Sequence, residues 1–180
     1  MANPRITRWT AVGLIGFMAG MAGGATEPED ELKSATVLSF LRHSEWLQAA
    51  TPAGPITVGV TGRPAMVSML RRTLDGKTAN NRAIRIVDVK KSGDLRACQV
   101  LYVASDNNNE IRETLASLGA SHALTIGEAD RFLEYGGAVK LLIVDGHMSF
   151  EVNPAALDRA GVSISSKLLR YGQVKLRPPA

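Results

Sequence analysis

The sequence predicts a single α/β domain: a mostly parallel sheet flanked by helices, with an antiparallel hairpin strand near the C-terminus. Three observations predict it. Short apolar runs alternate with amphipathic stretches between residues 35 and 175, the βα rhythm that gives parallel strands joined by crossover helices. The run from Ala138 to Val144 is almost continuously apolar, the pattern of a strand covered on both faces. Asp145-Gly146 then tolerates the positive φ angles of a two-residue turn, and Met148, Phe150 and Val152 alternate with Ser149, Glu151 and Asn153, as in a half-buried antiparallel partner.

The elements follow in order. Arg5 and Arg8 precede an uncharged run from Trp9 to Ala25 that closes on Gly23-Gly24-Ala25. A basic start, an apolar middle and small residues before the cut describe a secretory signal over residues 1–25, and the run is too short and glycine-diluted for a spanning helix. Residues 26–34 are acidic. Pro28 and Glu29 to Glu31 suit the positive end of a helix, and Leu32, Ala35, Leu38, Leu41 and Glu45-Trp46 continue it at a three-to-four residue spacing. Pro52, Gly54 and Pro55 form a loop before a strand over Ile56 to Val60. Thr61-Gly62-Arg63-Pro64 turns into a helix with an apolar stripe of Met66, Val67, Leu70 and Leu74, which leaves at Asp75-Gly76.

Ala83 to Val89 alternates like an outer strand, and Gln99 to Ala104 is apolar like an inner one. Asn109 to Leu118 is an amphipathic helix closed by Gly119. Ala123 to Ile126 reads as a strand, and Glu128 to Tyr135 as a helix ended by Gly136-Gly137. Asn153-Pro154 supplies a cap and a first-turn proline for a helix that stops near Gly161. Ser165 to Gly172 gives a last helix, and residues 176–180 form a tail.

Composition narrows the function. The formal charge of +4 includes Arg5 and Arg8, so the chain after the leader carries +2 and the high pI belongs partly to the leader. Arg71-Arg72, Arg82 with Arg85, and Lys90-Lys91 are not interleaved with aromatic side chains, which make up 5% of the sequence. Nucleic-acid binding wants a concentrated basic face and stacking rings, so these are solvated surface. Cys98 is the sole cysteine, which excludes an intramolecular disulfide; its apolar neighbours predict a buried small hydrophobe.

Catalytic constellations are missing from the pattern. His43, His122 and His147 fall in separate elements and form no zinc set. Asp106 stands after an inner strand, where a receiver domain carries its phosphorylated aspartate, but the first strand ends without the acids that hold magnesium. Ser165-Ser166-Lys167 places serine and lysine adjacent, so on a helix they point apart. The chain therefore reads as a non-enzyme with no metal or other cofactor. The strand-end loops at Thr61, Gly62 and Arg63, at Ser105 and Asp106, and at Thr125 occupy the position where open α/β sheets take ligands. They are the candidate ligand-binding residues, against the simpler reading of ordinary turns.

A set of residues adds a resemblance. Gly136-Gly137, Phe150-Glu151-Val152-Asn153 and the string from Ala160 through Ser165, Lys167 and Leu168 to Leu169 resemble the C-terminal signature of the YfiR-like family. Lys33-Ser34-Ala35, Phe40-Leu41, Glu45-Trp46, Leu95, Cys98 and Leu101-Tyr102-Val103 resemble its earlier segments. The resemblance implies a small periplasmic protein without catalytic activity that binds and represses a membrane-anchored diguanylate cyclase, lowering cyclic di-GMP signalling. It also implies an outer-membrane lipoprotein and a second copy of the chain as further partners. Relatives often pair the cysteine of the middle strand with one on the first strand; here that neighbourhood is Thr57-Val58-Gly59-Val60. The alternative function is a small-molecule-binding module that uses the strand-end loops.

Overall fold

The structure is a computed structural model that describes residues 27–47, 54–90, 95–119 and 121–170. The expected leader at 1–25 and the tail at 176–180 lie outside the described residues. Helix α1 (Glu27–His43) leads into a short strand β1 (Ser44–Trp46), then β2 (Ile56–Gly62), α2 (Pro64–Leu74), β3 (Thr78–Ala79) and β4 (Arg82–Asp88). Then come β5 (Val100–Ala104), α3 (Asn108–Leu118), β6 (Leu124–Gly127) and the hairpin β7 (Val139–Val144) and β8 (His147–Val152). Helix α4 (Pro154–Ala160), β9 (Val162–Ile164) and α5 (Ser166–Leu169) complete the series.

Seven strands form one sheet in the order β3-β4-β2-β5-β6-β7-β8. Pairing is parallel from β4 through β2, β5 and β6 to β7, and antiparallel at both margins. The chain leaves β2 for β4 on one side and then returns to β5 on the other. The boundary between β2 and β5 is therefore the topological switch point, beyond whose carboxyl ends doubly wound sheets bind ligands.

Alternation along the strands divides the core. Val58, Val60, Val100, Tyr102 and Ala104 join the larger cluster with Phe40, Leu41, Met66 and Leu70 of α1 and α2. Leu101 and Val103 point to the opposite face, into a smaller cluster with Ile111 and Leu118 of α3 and with Phe132. Phe40 meets Phe150 edge to face, with ring centroids 5.0 Å apart at 74°, which ties α1 to the edge strand β8 by about 0.5–1.5 kcal/mol beyond area burial.

Several expectations need correction. Helix α1 ends at His43, and Glu45-Trp46 is strand, not helix, because Ser44, Glu45 and Trp46 pair antiparallel with Ile164, Ser163 and Val162 of β9. The inward face of α1 is Asp30, Lys33, Ser34, Val37, Phe40 and Leu41, while Leu32 and Ala35 are exposed. Over the expected helix at 128–135 the chain instead forms a bend at Ala129 and consecutive turns from residue 130 to 136, held by bonds such as Phe132 N to Ala129 O at 3.0 Å and Gly137 N to Phe132 O at 3.0 Å. Strand β7 is buried at Val139 and Leu141, half-buried at Lys140, Leu142 and Ile143 and exposed at Val144, so its second face is open near the edge of the sheet.

The turn chemistry behaves as expected. Asp145 and Gly146 adopt φ of 50° and 77°, the left-handed pair that a tight hairpin requires. Asn80 and Asn81, at 49° and 61°, turn β3 into β4 in the same way.

Candidate functional site

The carboxyl ends of the parallel strands carry the densest charge chemistry among the described residues, on the face covered by α1 and α2. Arg63 leaves the end of β2 just after Gly62, whose φ of 90° permits the bend. A Cβ at Gly62 would stand 2.1 Å from the Ala104 carbonyl oxygen, so β5 approaches this turn too closely for any side chain. The Arg63 amide donates to that carbonyl at 2.9 Å. Glu128 follows the last residue of β6. Tyr102 rises from the middle of β5 on the same face and is fully shielded from water.

The first turns of α1 close over this group. Arg63 Nη1 bonds Asp30 Oδ2 at 3.1 Å and its Nη2 bonds Glu128 Oε1 at 2.9 Å. Lys33 Nζ bonds Glu128 Oε2 at 2.6 Å, and Tyr102 donates its hydroxyl hydrogen to Glu128 Oε1 at 2.7 Å. Asp30 and Lys33 are only 5% and 7% exposed. Two cations thus face two carboxylates, and each charge has an opposite partner, which is the condition for burying it.

Protonation follows from these contacts. Burial alone pushes the Glu128 carboxyl up, but the bonds from Lys33 and Tyr102 and the charges of Lys33 and Arg63 outweigh it and hold the group below the usual carboxylate range. Burial, then the adjacent Glu128 charge and the hydrogen bond to it, push the Tyr102 phenol well above its ordinary value. Burial works against the Arg63 cation, yet Asp30 and Glu128 raise it further. Glu128 is thus a fixed anion and Tyr102 a fixed donor, neither poised to exchange protons near neutrality. Among the described residues no three histidine, cysteine, aspartate or glutamate side chains form a group that could hold a metal ion.

The other candidate residues fall around the same strand ends. Ser105 donates to Glu110 Oε2 at 2.6 Å and accepts from the Asn107 amide at 3.2 Å, so it shapes the start of α3. Asp106 is exposed in that loop. Thr125 is buried in β6 and its hydroxyl accepts from the Ala138 amide at 2.8 Å, linking β6 to the start of β7. Thr61 projects to the α3 side of the sheet, away from the ion network. Sequence reasoning singled out Arg63 but missed Asp30, Tyr102 and Glu128; the available signal was an acid and a lysine one turn apart in a helix start.

Residues behind the family resemblance hold elements in place. Trp46 pairs with Val162. Gly136 has φ of 94°, and a Cβ on Gly137 would stand 2.2 Å from the Phe132 ring. Asn153 Oδ1 accepts from the Ala156 amide at 3.2 Å, capping α4, and its Nδ2 donates to the Leu133 carbonyl at 3.4 Å. Ser165 Oγ accepts from the Lys167 amide at 3.3 Å. Glu151 is half-buried on β8, and Cys98 is buried two residues before β5. Phe150, Lys167 and Leu168 come together with His43 along a groove of about 270 Å³ between α1, β8 and α5.

Comparison with known proteins follows this architecture. The chain resembles a crystal structure of a conserved domain protein from Vibrio cholerae O1 biovar El Tor, at 13% identity and a TM-score of 0.54, over 81% of this chain and 59% of that one. It also aligns with a structure of an ABC domain in complex with L-Trp from Streptococcus pneumonia, at 12% identity and a TM-score of 0.46, over 71% and 57% of the two chains. The present chain therefore spans less than two thirds of either, and the first likeness is one of fold. A comparison with curated proteins finds no match. The YfiR/HmsC-like family model matches residues 30–173, from the buried Asp30 of α1 to beyond α5. The chain belongs to the YfiR/HmsC-like family.

Proposed function

We propose that this chain is exported to the periplasm as a non-catalytic regulator, binds the periplasmic region of an inner-membrane diguanylate cyclase and represses it. The observation that carries the reading is the family match over residues 30–173. The strand ends support it: the charged groups that an enzyme of this architecture would turn on a substrate are here neutralised by one another, with Asp30 and Lys33 closing the network. Among the described residues no helix is long and apolar enough to cross a membrane. A regulator without chemistry acts through differential affinity: tighter binding to the inactive conformation of the cyclase draws the population towards it. An outer-membrane lipoprotein that sequesters the chain and a second copy of it are further partners in this reading.

The test is affinity capture of the tagged chain from a membrane extract, combined with cyclic di-GMP measurement in cells with and without the gene. Capture of a cyclase whose product rises on deletion is expected. Unchanged nucleotide together with no captured membrane protein overturns the reading.

A further inference from the structure

A hollow of about 230 Å³ lies where the chain enters β6 and β7, bordered by the last turns of α3 and α4. It sits at the amino ends of these strands, whereas the ion network sits past their carboxyl ends. Its buried lining is apolar and mostly short: Leu118, Ala123, Ala156 and Ala160, each 7% exposed or less. Two guanidinium groups border it, Arg112 of α3 and Arg159 of α4, and no aspartate or glutamate lines it. Neither arginine has an acid three or four residues away on its own helix, and among the described residues neither forms an ion pair. Arg131 stands near them but is neutralised by Glu134 at 2.7 Å.

The two unneutralised cations are brought to one place by the segment Tyr135-Gly136, which also lines the hollow. Arg112 sets its Cζ 5.0 Å from the centroid of the Tyr135 ring, a contact that orients the guanidinium. Arg159 Nη2 lies 3.7 Å from where a Cβ on Gly136 would stand. The carbonyl ends of α3 and α4 oppose an anion with about half a charge each, which two full positive charges outweigh. We propose that this hollow binds a small organic acid, a carboxylate on a hydrocarbon body of a few carbons. The carboxylate pairs with Arg112 and Arg159, whose planar forks match its geometry, and the body rests on Leu118 and the three alanines. Inorganic phosphate meets the charges but leaves the apolar lining uncovered, and an alcohol or amine of the same length does the reverse. The volume, below that of typical drug-sized pockets, suits such a ligand. The inference goes beyond the regulator reading and does not depend on it.

The test is calorimetric titration and thermal unfolding of the purified full chain with butyrate and with succinate. The controls are 1-butanol, butylamine, inorganic phosphate and potassium chloride at matched ionic strength. At least one of the two acids is expected to raise the unfolding midpoint by several degrees and to exceed every control. Arg159→Gln, at an exposed position, is expected to weaken that acid about tenfold, the worth of a charged hydrogen bond. Ala116→Leu, exposed and lining the hollow, keeps a strong helix former in α3 and is expected to weaken binding at least tenfold by filling the space. No shift with either acid, a shift with phosphate, butylamine or salt as large as with the acid, or unaltered binding in either variant overturns the proposal.

Discussion

Tyr102, wholly screened from solvent in the middle of the sheet, donates its hydroxyl hydrogen across 2.7 Å to Oε1 of Glu128, the residue that follows β6. The bond ties two neighbouring parallel strands together at their carboxyl ends and fixes the carboxylate between Lys33 and Arg63.

A pH dependence follows. The folded-state value of Glu128 is lowered, so its contribution is fully present above the unfolded carboxylate value of about 4.3 and is lost as pH falls through the folded value. The stability difference between the native chain and Glu128→Gln should therefore shrink as pH drops below about 4.3. Tyr102 has the opposite sign: its folded value is raised, so its contribution is present below about pH 10 and is lost as pH rises through the folded value. Tyr102→Phe should lower stability at neutral pH by about 1.5–3 kcal/mol, the worth of a hydrogen bond to a charged acceptor. Urea midpoints across the pH range read both limbs; a Glu128→Gln difference that grows towards acid contradicts the first.

Lys33 tests whether α1 is held at the strand ends by charge. Removing one partner of a buried pair leaves the other uncompensated, so Lys33→Met should destabilise by about 3 kcal/mol. Arg63 continues to neutralise part of Glu128 at 2.9 Å. Because the two groups act on one another, Lys33→Met and Glu128→Gln combined should cost less than the sum of the single changes, by at least about 1 kcal/mol. Additive midpoints in chemical unfolding would show that the network contributes no coupling.

Phe132 explains two glycines. A Cβ on Gly127 would stand 2.5 Å from its ring and one on Gly137 would stand 2.2 Å away, whereas Gly136 is required by its φ of 94°. The ring is thus packed directly on two stretches of bare backbone. Gly137→Ala should destabilise by about 2–3 kcal/mol through forced displacement of a buried ring. Gly136→Ala should cost about 1–2 kcal/mol through backbone strain alone. Phe132→Leu, measured in the Gly137→Ala background, should recover part of the first loss and none of the second. Equal recovery in both backgrounds refutes this division.

What could be read from the sequence was chemistry local to a few residues. Asp145-Gly146 and Asn153-Pro154 specify their turn and cap by themselves, and both stand as expected, with Gly161 ending α4 at φ of 64°. What escaped depends on partners distant in sequence. Glu45 and Trp46 continue a helical spacing, yet Val162 and Ser163 draw them into a strand over more than a hundred residues of separation. Lys33 and Asp30 look like solvent-facing charges because their partners, Arg63 and Glu128, lie just past the ends of β2 and β6, far along the sequence. Hydropathy places Leu32 and Ala35 on the inward face, yet the first turns of α1 bury Asp30 and Lys33 against opposite charges at the strand ends, and apolar burial begins only at Val37. The candidate ligand residues show the same divide: Thr125 and Ser105 are engaged by amides and carboxylates that no spacing rule reveals.

Gly59 carries the last prediction. A Cβ built there would lie 2.5 Å from Sγ of Cys98 and 2.9 Å from Cγ2 of Val89, so β2 comes closest to the sole cysteine at this glycine. Gly59→Ala should destabilise, since neither neighbour is free to move far in a packed core. Gly59→Cys should instead form a disulfide with Cys98 after small side-chain rotations. That bond would close a loop of roughly 40 residues, for which chain entropy gives at most about 4 kcal/mol, reduced by the Val89 crowding. The oxidised variant should lose two thiols in a denaturing titration and should melt higher than its own reduced form. Two titratable thiols after oxidation, or a midpoint insensitive to reductant, would show that the strands stand further apart than these distances require.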